Sequence, residues 1–113
     1  MMSITIDVGT KFSRSPLGRY YSDGNSNGTR FREEVLKPEL IKSDESITLD
    51  FSNVSIGVGS SFLEEAFGGL VRDGFDADEL KRRIKIVGGM AAYPSQFERF
   101  VERARTQLLA TKG

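Results

Sequence analysis

The stretch Leu49-Asp50-Phe51-Ser52-Asn53-Val54-Ser55-Ile56-Gly57-Val58-Gly59-Ser60-Ser61-Phe62-Leu63 constrains this chain more than any other. Ile47, Leu49 and Phe51 alternate with polar residues, so residues 46–51 read as a strand with one buried face. Gly57 and Gly59 permit a tight turn, after which Leu63, Phe67, Leu70 and Val71 recur at helical spacing. A buried strand, a short reversal and an amphipathic helix form half of an α/β unit. Ser60 and Ser61 then fall in the first turn of the helix. A helix start offers unpaired N–H groups and a partial positive charge there. A serine at that place can cap the helix, for about 1 kcal/mol, hold an anion or carry a phosphate.

The remaining chain supplies similar pieces. Ile4, Ile6 and Val8 alternate over residues 2–8, and Ile84–Val87 reads as a third strand. A helix is predicted from about residue 29 to 36, burying Phe31 and Val35 and limited by Pro38. The helix after the glycine turn is predicted over residues 60–73, with Gly74 as its stop. Gly68-Gly69 inside it costs roughly 1 kcal/mol per glycine against alanine, and close approach of the helix to the sheet would account for the pair. Asp76-Ala77-Asp78-Glu79 reads as a capping box opening a short helix to about residue 82. Phe97, Phe100, Val101, Ala104 and Leu108 place a last helix over about 94–110. The fold class predicted is a single α/β domain over residues 1–113, with a small mixed sheet and helices packed against it.

Between the first strand and first helix lies a long segment. Phe12, Leu17, Tyr20 and Tyr21 are candidates to anchor a short strand or a covering loop. Residues 22–28 are seven small polar residues with strong turn chemistry. Loops of this length in compact domains are functional or mobile.

Composition bounds the chemistry. The 113 residues contain no cysteine and no histidine. Disulfides, thiolate metal sites and thiol catalysis are therefore excluded, together with the commonest general base and transition-metal ligand. Hydrophobic content of 38% and charged content of 28% fit an ordinary globular domain. No run approaches the roughly 20 apolar residues of a membrane span, and no secretory signal is visible, so a cytoplasmic location is expected.

The formal net charge of zero hides segregation. Residues 9–32 carry five bases against one acid, residues 33–80 three bases against twelve acids, and residues 81–113 eight bases against two acids. These segments either neutralise one another in the fold or orient a partner. The balance argues against nucleic acid.

Enzymatic chemistry has little support. Glu64 and Glu65 are adjacent on a helix, point in different directions, and read as exposed or as favourable early-turn charges. Asp50 is the remaining acid–base candidate, and Asp50 with Asp7 is one conjectured carboxylate pair for a magnesium ion. No cofactor is expected. The turn over residues 57–61 is also a candidate anion or nucleotide cradle, with Arg14, Arg19, Arg30 and Arg32 as counter-charge if the long loop folds over it. Phe62 stands where a dinucleotide fingerprint needs glycine, and no lysine completes a P-loop. Alternatively Arg19 and Tyr20 pin the loop to the body of the domain.

Several motifs resemble one family. Pro16-Leu17-Gly18-Arg19-Tyr20, Asp23-Gly24, Phe31-Arg32-Glu33-Glu34 and Gly59-Ser60-Ser61-Phe62-Leu63-Glu64-Glu65-Ala66-Phe67-Gly68-Gly69-Leu70 are similar to the uncharacterised STAS-like domain family over about residues 12–88. That family is related to the STAS fold of sulphate transporters and anti-sigma factor antagonists. The resemblance implies a small non-catalytic α/β domain acting through protein–protein contact. In relatives of the wider fold, a serine or threonine at this helix start is phosphorylated by a kinase of the GHKL ATPase class, which releases or blocks the partner. By position Ser60 is that residue, and Ser61 falls where the antagonists have glycine. They also have an aspartate and a small polar residue just before the acceptor, where this chain has Val58 and Gly59.

Overall fold

The computed structural model describes residues 3–112. Three strands, β1 (Ser3–Asp7), β2 (Ser46–Asp50) and β3 (Ile84–Val87), form one sheet in the order β1-β2-β3. All three run parallel, where a mixed sheet was expected. The reason is that helices lie between consecutive strands, and a helical crossover returns the chain to pair in the same direction. The expected strand positions hold within a residue at each end, with Met2 outside the described residues.

Register explains the layering. Ile4, Ile47 and Ile84 lie side by side, as do Ile6, Leu49 and Ile86. These two apolar rows point into the single core, where Ile47 and Leu49 have no exposed surface. The alternate row is Thr5, Thr48 and Lys85, and none of the three is buried. Sequential parallel strands joined by right-handed crossovers place their helices on one side. The molecule is therefore two layers thick, and its strands alternate because one face meets water.

Five helices and a short 3₁₀ turn (Tyr21–Asp23) complete the fold among the described residues. A single turn, α1 (Val8–Lys11), follows β1 and is capped by Asp7, whose Oδ1 accepts from Thr10 N at 3.1 Å. Helix α2 spans residues 28–42, with a π-helical stretch at Phe31–Leu36 inside it. It does not stop before Pro38 as expected. The π turn gives Lys37 N–H the carbonyl of Arg32 five residues back, and proline sits just beyond it. The wider turn accommodates a residue that lacks an amide hydrogen and crowds the preceding turn. Asn27 begins this helix, fully buried, accepting from Arg30 N and donating to the Gly24 carbonyl, each at 2.8 Å.

Helix α3 spans residues 60–72 and also contains a π stretch, Glu64–Gly68. It ends as its sequence predicts. Gly74 adopts φ +110, Phe75 N–H reaches Leu70 O at 3.0 Å and Gly74 N–H reaches Val71 O at 3.0 Å. That pair of bonds is a Schellman cap. Helix α4 (Ala77–Arg83) is capped by Asp76, which accepts from Glu79 N at 2.9 Å. Helix α5 (Tyr93–Lys112) packs on α3 through Phe67 and Phe97, whose rings meet edge-on at 4.8 Å.

The long loop is tied down by one aromatic residue. Phe12 packs against Phe31 at 5.1 Å and Phe62 at 6.1 Å between ring centroids. Leu17, Tyr20 and Tyr21, the other candidate anchors, are instead more than half exposed. Backbone bonds from Leu17 to Ser26, and from Gly28 to Gly18, close the loop on itself.

Candidate functional site

The mouth of α3 is assembled from two loops at the carboxyl ends of β2 and β3. Asp50 Oδ1 accepts from Ser52 N at 2.9 Å, which turns the chain sharply after β2. The loop is then held from two sides. Ser55 N–H donates to Arg14 O at 2.7 Å, and the buried Val58 N–H donates to the Tyr93 hydroxyl at 2.7 Å. An unpaired buried amide costs about 1–3 kcal/mol, so Tyr93 fixes the approach to the helix. A buried tyrosine 35 residues away carries no local signal, and sequence reasoning missed it.

The glycines act differently from expectation. Gly59 is the residue before the helix, with φ −74, and Gly57 likewise has no positive φ. Left-handed conformations occur instead at Gly88 and Gly89, both at φ +70, just after β3. A side chain at Gly88 would meet Asp50 Oδ1 at 2.6 Å, and one at Gly89 would meet Phe51 Cβ at 2.9 Å. Close contact between the two loops is what excludes a Cβ there.

Ser60 and Ser61 are the first two residues of α3, and both are exposed. Neither caps the helix: the cap position belongs to Gly59, and no side-chain cap bond is made. The capping role expected of these serines is thus absent, because the chain enters the helix one residue too early for either hydroxyl to turn back. Exposed apolar residues lie near them. Leu17 and Tyr20 share with Ser61 a cavity of about 520 Å³. Beside the preceding turn, Ile56 and Met90 are exposed as well, with Met90 Sδ lying 3.3 Å from where a Gly57 side chain would start.

The arginines proposed as counter-charge point elsewhere. Arg19 reaches along α3 to Glu64 and, at 3.4 Å, to Glu65. Its backbone is held independently, since Thr29 N–H and Thr29 Oγ1 both donate to Arg19 O. Arg19 therefore pins the loop, while Tyr20 lies on the surface. Arg30 pairs with Glu34 at 3.1 Å and covers the Phe12 ring. Arg32 is buried against Glu65 at 2.8 Å, against Asp73 at 3.0 Å, and on the Glu65 carbonyl. Arg14 is exposed and contributes its carbonyl to the loop.

Glu64 and Glu65 are correspondingly not exposed, correcting their reading as surface charges: Glu65 is 7% exposed. Burial raises the Glu64 carboxyl, yet hydrogen bonds from Arg72 and Arg19 outweigh it and hold the group below its usual range. Gly69 of the Gly68-Gly69 pair has the same origin. A side chain at Gly69 would run into the Arg32 guanidinium, with Cζ at 2.7 Å, so the helix is thinned for an arginine rather than for the sheet.

Asp50 and Asp7 are register partners on neighbouring strands. Asp7 is already occupied as a helix cap and as acceptor from Asn53 Nδ2 at 2.6 Å, and these bonds lower its pKa. Among the described residues no group of three acidic side chains converges to hold a metal. None of their helices is long and apolar enough to cross a membrane. The segregated charge is largely neutralised internally: Arg19 and Arg32 from the first basic segment, and Arg83 and Arg105 from the last, pair with acids of the middle segment.

No curated protein and no solved structure matches this chain. Residues 27–90 match a family described as a STAS-like domain of unknown function (DUF4325). That span begins at the Asn27 cap and contains α2, β2, the mouth of α3 and β3. An α/β core of this order, together with a match over more than half of its length, places the chain in the STAS-like DUF4325 family.

Proposed function

We propose that this domain is a non-catalytic regulatory module that docks a protein partner over the mouth of α3, with Ser60 or Ser61 as phosphoacceptor. One observation carries the reading: two exposed hydroxyls, unused for capping, share the helix mouth with exposed apolar residues of the long loop and of the turn before the helix. A surface of Leu17, Tyr20, Ile56 and Met90 around a polar centre suits a contact that is made and released. A phosphate adds a charge of about −1.5 to −2. The helix start tolerates it, whereas an apolar or acidic partner surface seated over it does not.

The test uses the full chain with ATP and a kinase of the GHKL class. The expected outcome is a mass gain of one phosphate, mapped to Ser60 or Ser61 and abolished in the double alanine variant, with loss of partner binding. Absence of incorporation would reject the switch. Unchanged partner binding in Ile56→Asp and Met90→Asp would reject the docking surface.

A further inference from the structure

Beside the mouth of α3, and not using either serine, lies a cleft of about 420 Å³ between α3, α5 and the long loop. Its walls are Arg19 and Tyr20 from the loop, Glu64, Glu65 and Arg72 from α3, and Arg103 and Gln107 from α5. The size is in the range of small-molecule sites. Three guanidiniums face two carboxylates. Glu65 Oε2 is paired from behind with buried Arg32, while its Oε1 meets Arg19 at 3.4 Å and Arg72 at 3.6 Å, so the lining carries one positive charge more than its two carboxylates balance. Arg19 and Arg72 already share Glu64, Arg72 at 2.6 Å. Arg103 makes no ion pair among the described residues and rests over the Phe100 ring at 5.6 Å. Its N–H fork is thus open to solvent, with Gln107 one turn further along the same helix.

We propose that this cleft binds the phosphoryl group of a small phosphate monoester. Guanidinium forks match phosphate oxygens bidentately, and an excess of positive charge selects a dianion over a neutral ligand. Arg103 and Arg72 hold the phosphoryl oxygens from the two helices. The Tyr20 ring, 53% exposed at the rim, offers a flat surface for the organic part of the ester. The assignment differs from the cradle predicted at residues 57–61, where Arg19 lines the cavity beside Ser61 but is held by Glu64. It stands whether or not Ser60 or Ser61 is ever modified.

The experiment is a titration of the full chain, followed by nuclear magnetic resonance, with inorganic phosphate and with phenyl phosphate against sodium chloride at equal ionic strength. Saturable shifts are expected at Tyr20, Arg72, Arg103 and Gln107, with phenyl phosphate binding more tightly. Arg103→Gln weakens both probes at least tenfold with an unchanged melting temperature, and Lys85→Gln on the far face of the sheet changes neither. Shifts that do not saturate, or equal binding by Arg103→Gln, would overturn the site. Phenyl phosphate binding no tighter than phosphate would overturn its assignment to an ester.

Discussion

The first turn of α3 and its middle lie on one helix and are built on opposite rules. At the mouth, Ser60 and Ser61 are exposed and the cap position is an unassisted glycine. Four residues on, Glu65 is buried, and Arg19, Arg32 and Arg72 converge on the Glu64-Glu65 pair. The middle resists change because each charge taken from water there has a partner, and removing one leaves the other stranded. The mouth is kept free of such commitments. Buried charge and exposed hydroxyl are separated along about one helical turn.

Breaking the middle has the largest expected effect. Arg32→Ala strands Glu65 in the core and opens a void beside Gly69, and a loss of about 3–5 kcal/mol is expected in urea unfolding. A loss below 1 kcal/mol would mean that the buried pair contributes little to this contrast. The two glycines sharpen it. Gly69→Ala drives a methyl group into the pinned Arg32 guanidinium, and a loss of about 1–3 kcal/mol is expected. Gly68→Ala meets only the ends of Glu64 and Arg72, which can swing outward, so its helix-propensity gain should leave it neutral or slightly stabilising. Equal melting temperatures for the two variants would remove the packing argument. The smallest effect belongs to the mouth: Ser60→Ala and Ser61→Ala should each stay within about 0.5 kcal/mol of the parent in thermal unfolding. A loss near that of a true helix cap would show that the serines hold the helix start after all.

Local patterns carried most of the fold and little of the site. Alternation located the strands, and the Gly74 stop and the Asp76 cap lay where short-range chemistry puts them, because each is decided within about five residues. Pro38 misled because a π turn is not visible in periodicity, and its extra residue per turn is what admits the proline. The ion pairs of Arg19 and Arg32 with Glu64 and Glu65 span 33 to 46 residues, beyond any window. One clue was present: two glycines beside two glutamates, in an otherwise well-formed amphipathic helix, mark room made for something bulky and cationic. The exposed placement of Ser60 and Ser61 was legible from the helix start alone. That neither of them caps it depended on whether the helix begins one residue earlier or later, which is the least determined feature of any sequence reading.

The sheet's uncovered side has a practical corollary. Since none of Thr5, Thr48 and Lys85, which form a continuous row, is buried, these strand positions are free of the packing demands on Ile47 and Leu49. A dye, spin label or surface linker attached at Thr48 or Lys85 would sit behind the helices, reporting on the molecule without obstructing either the serine-bearing mouth or the arginine cleft.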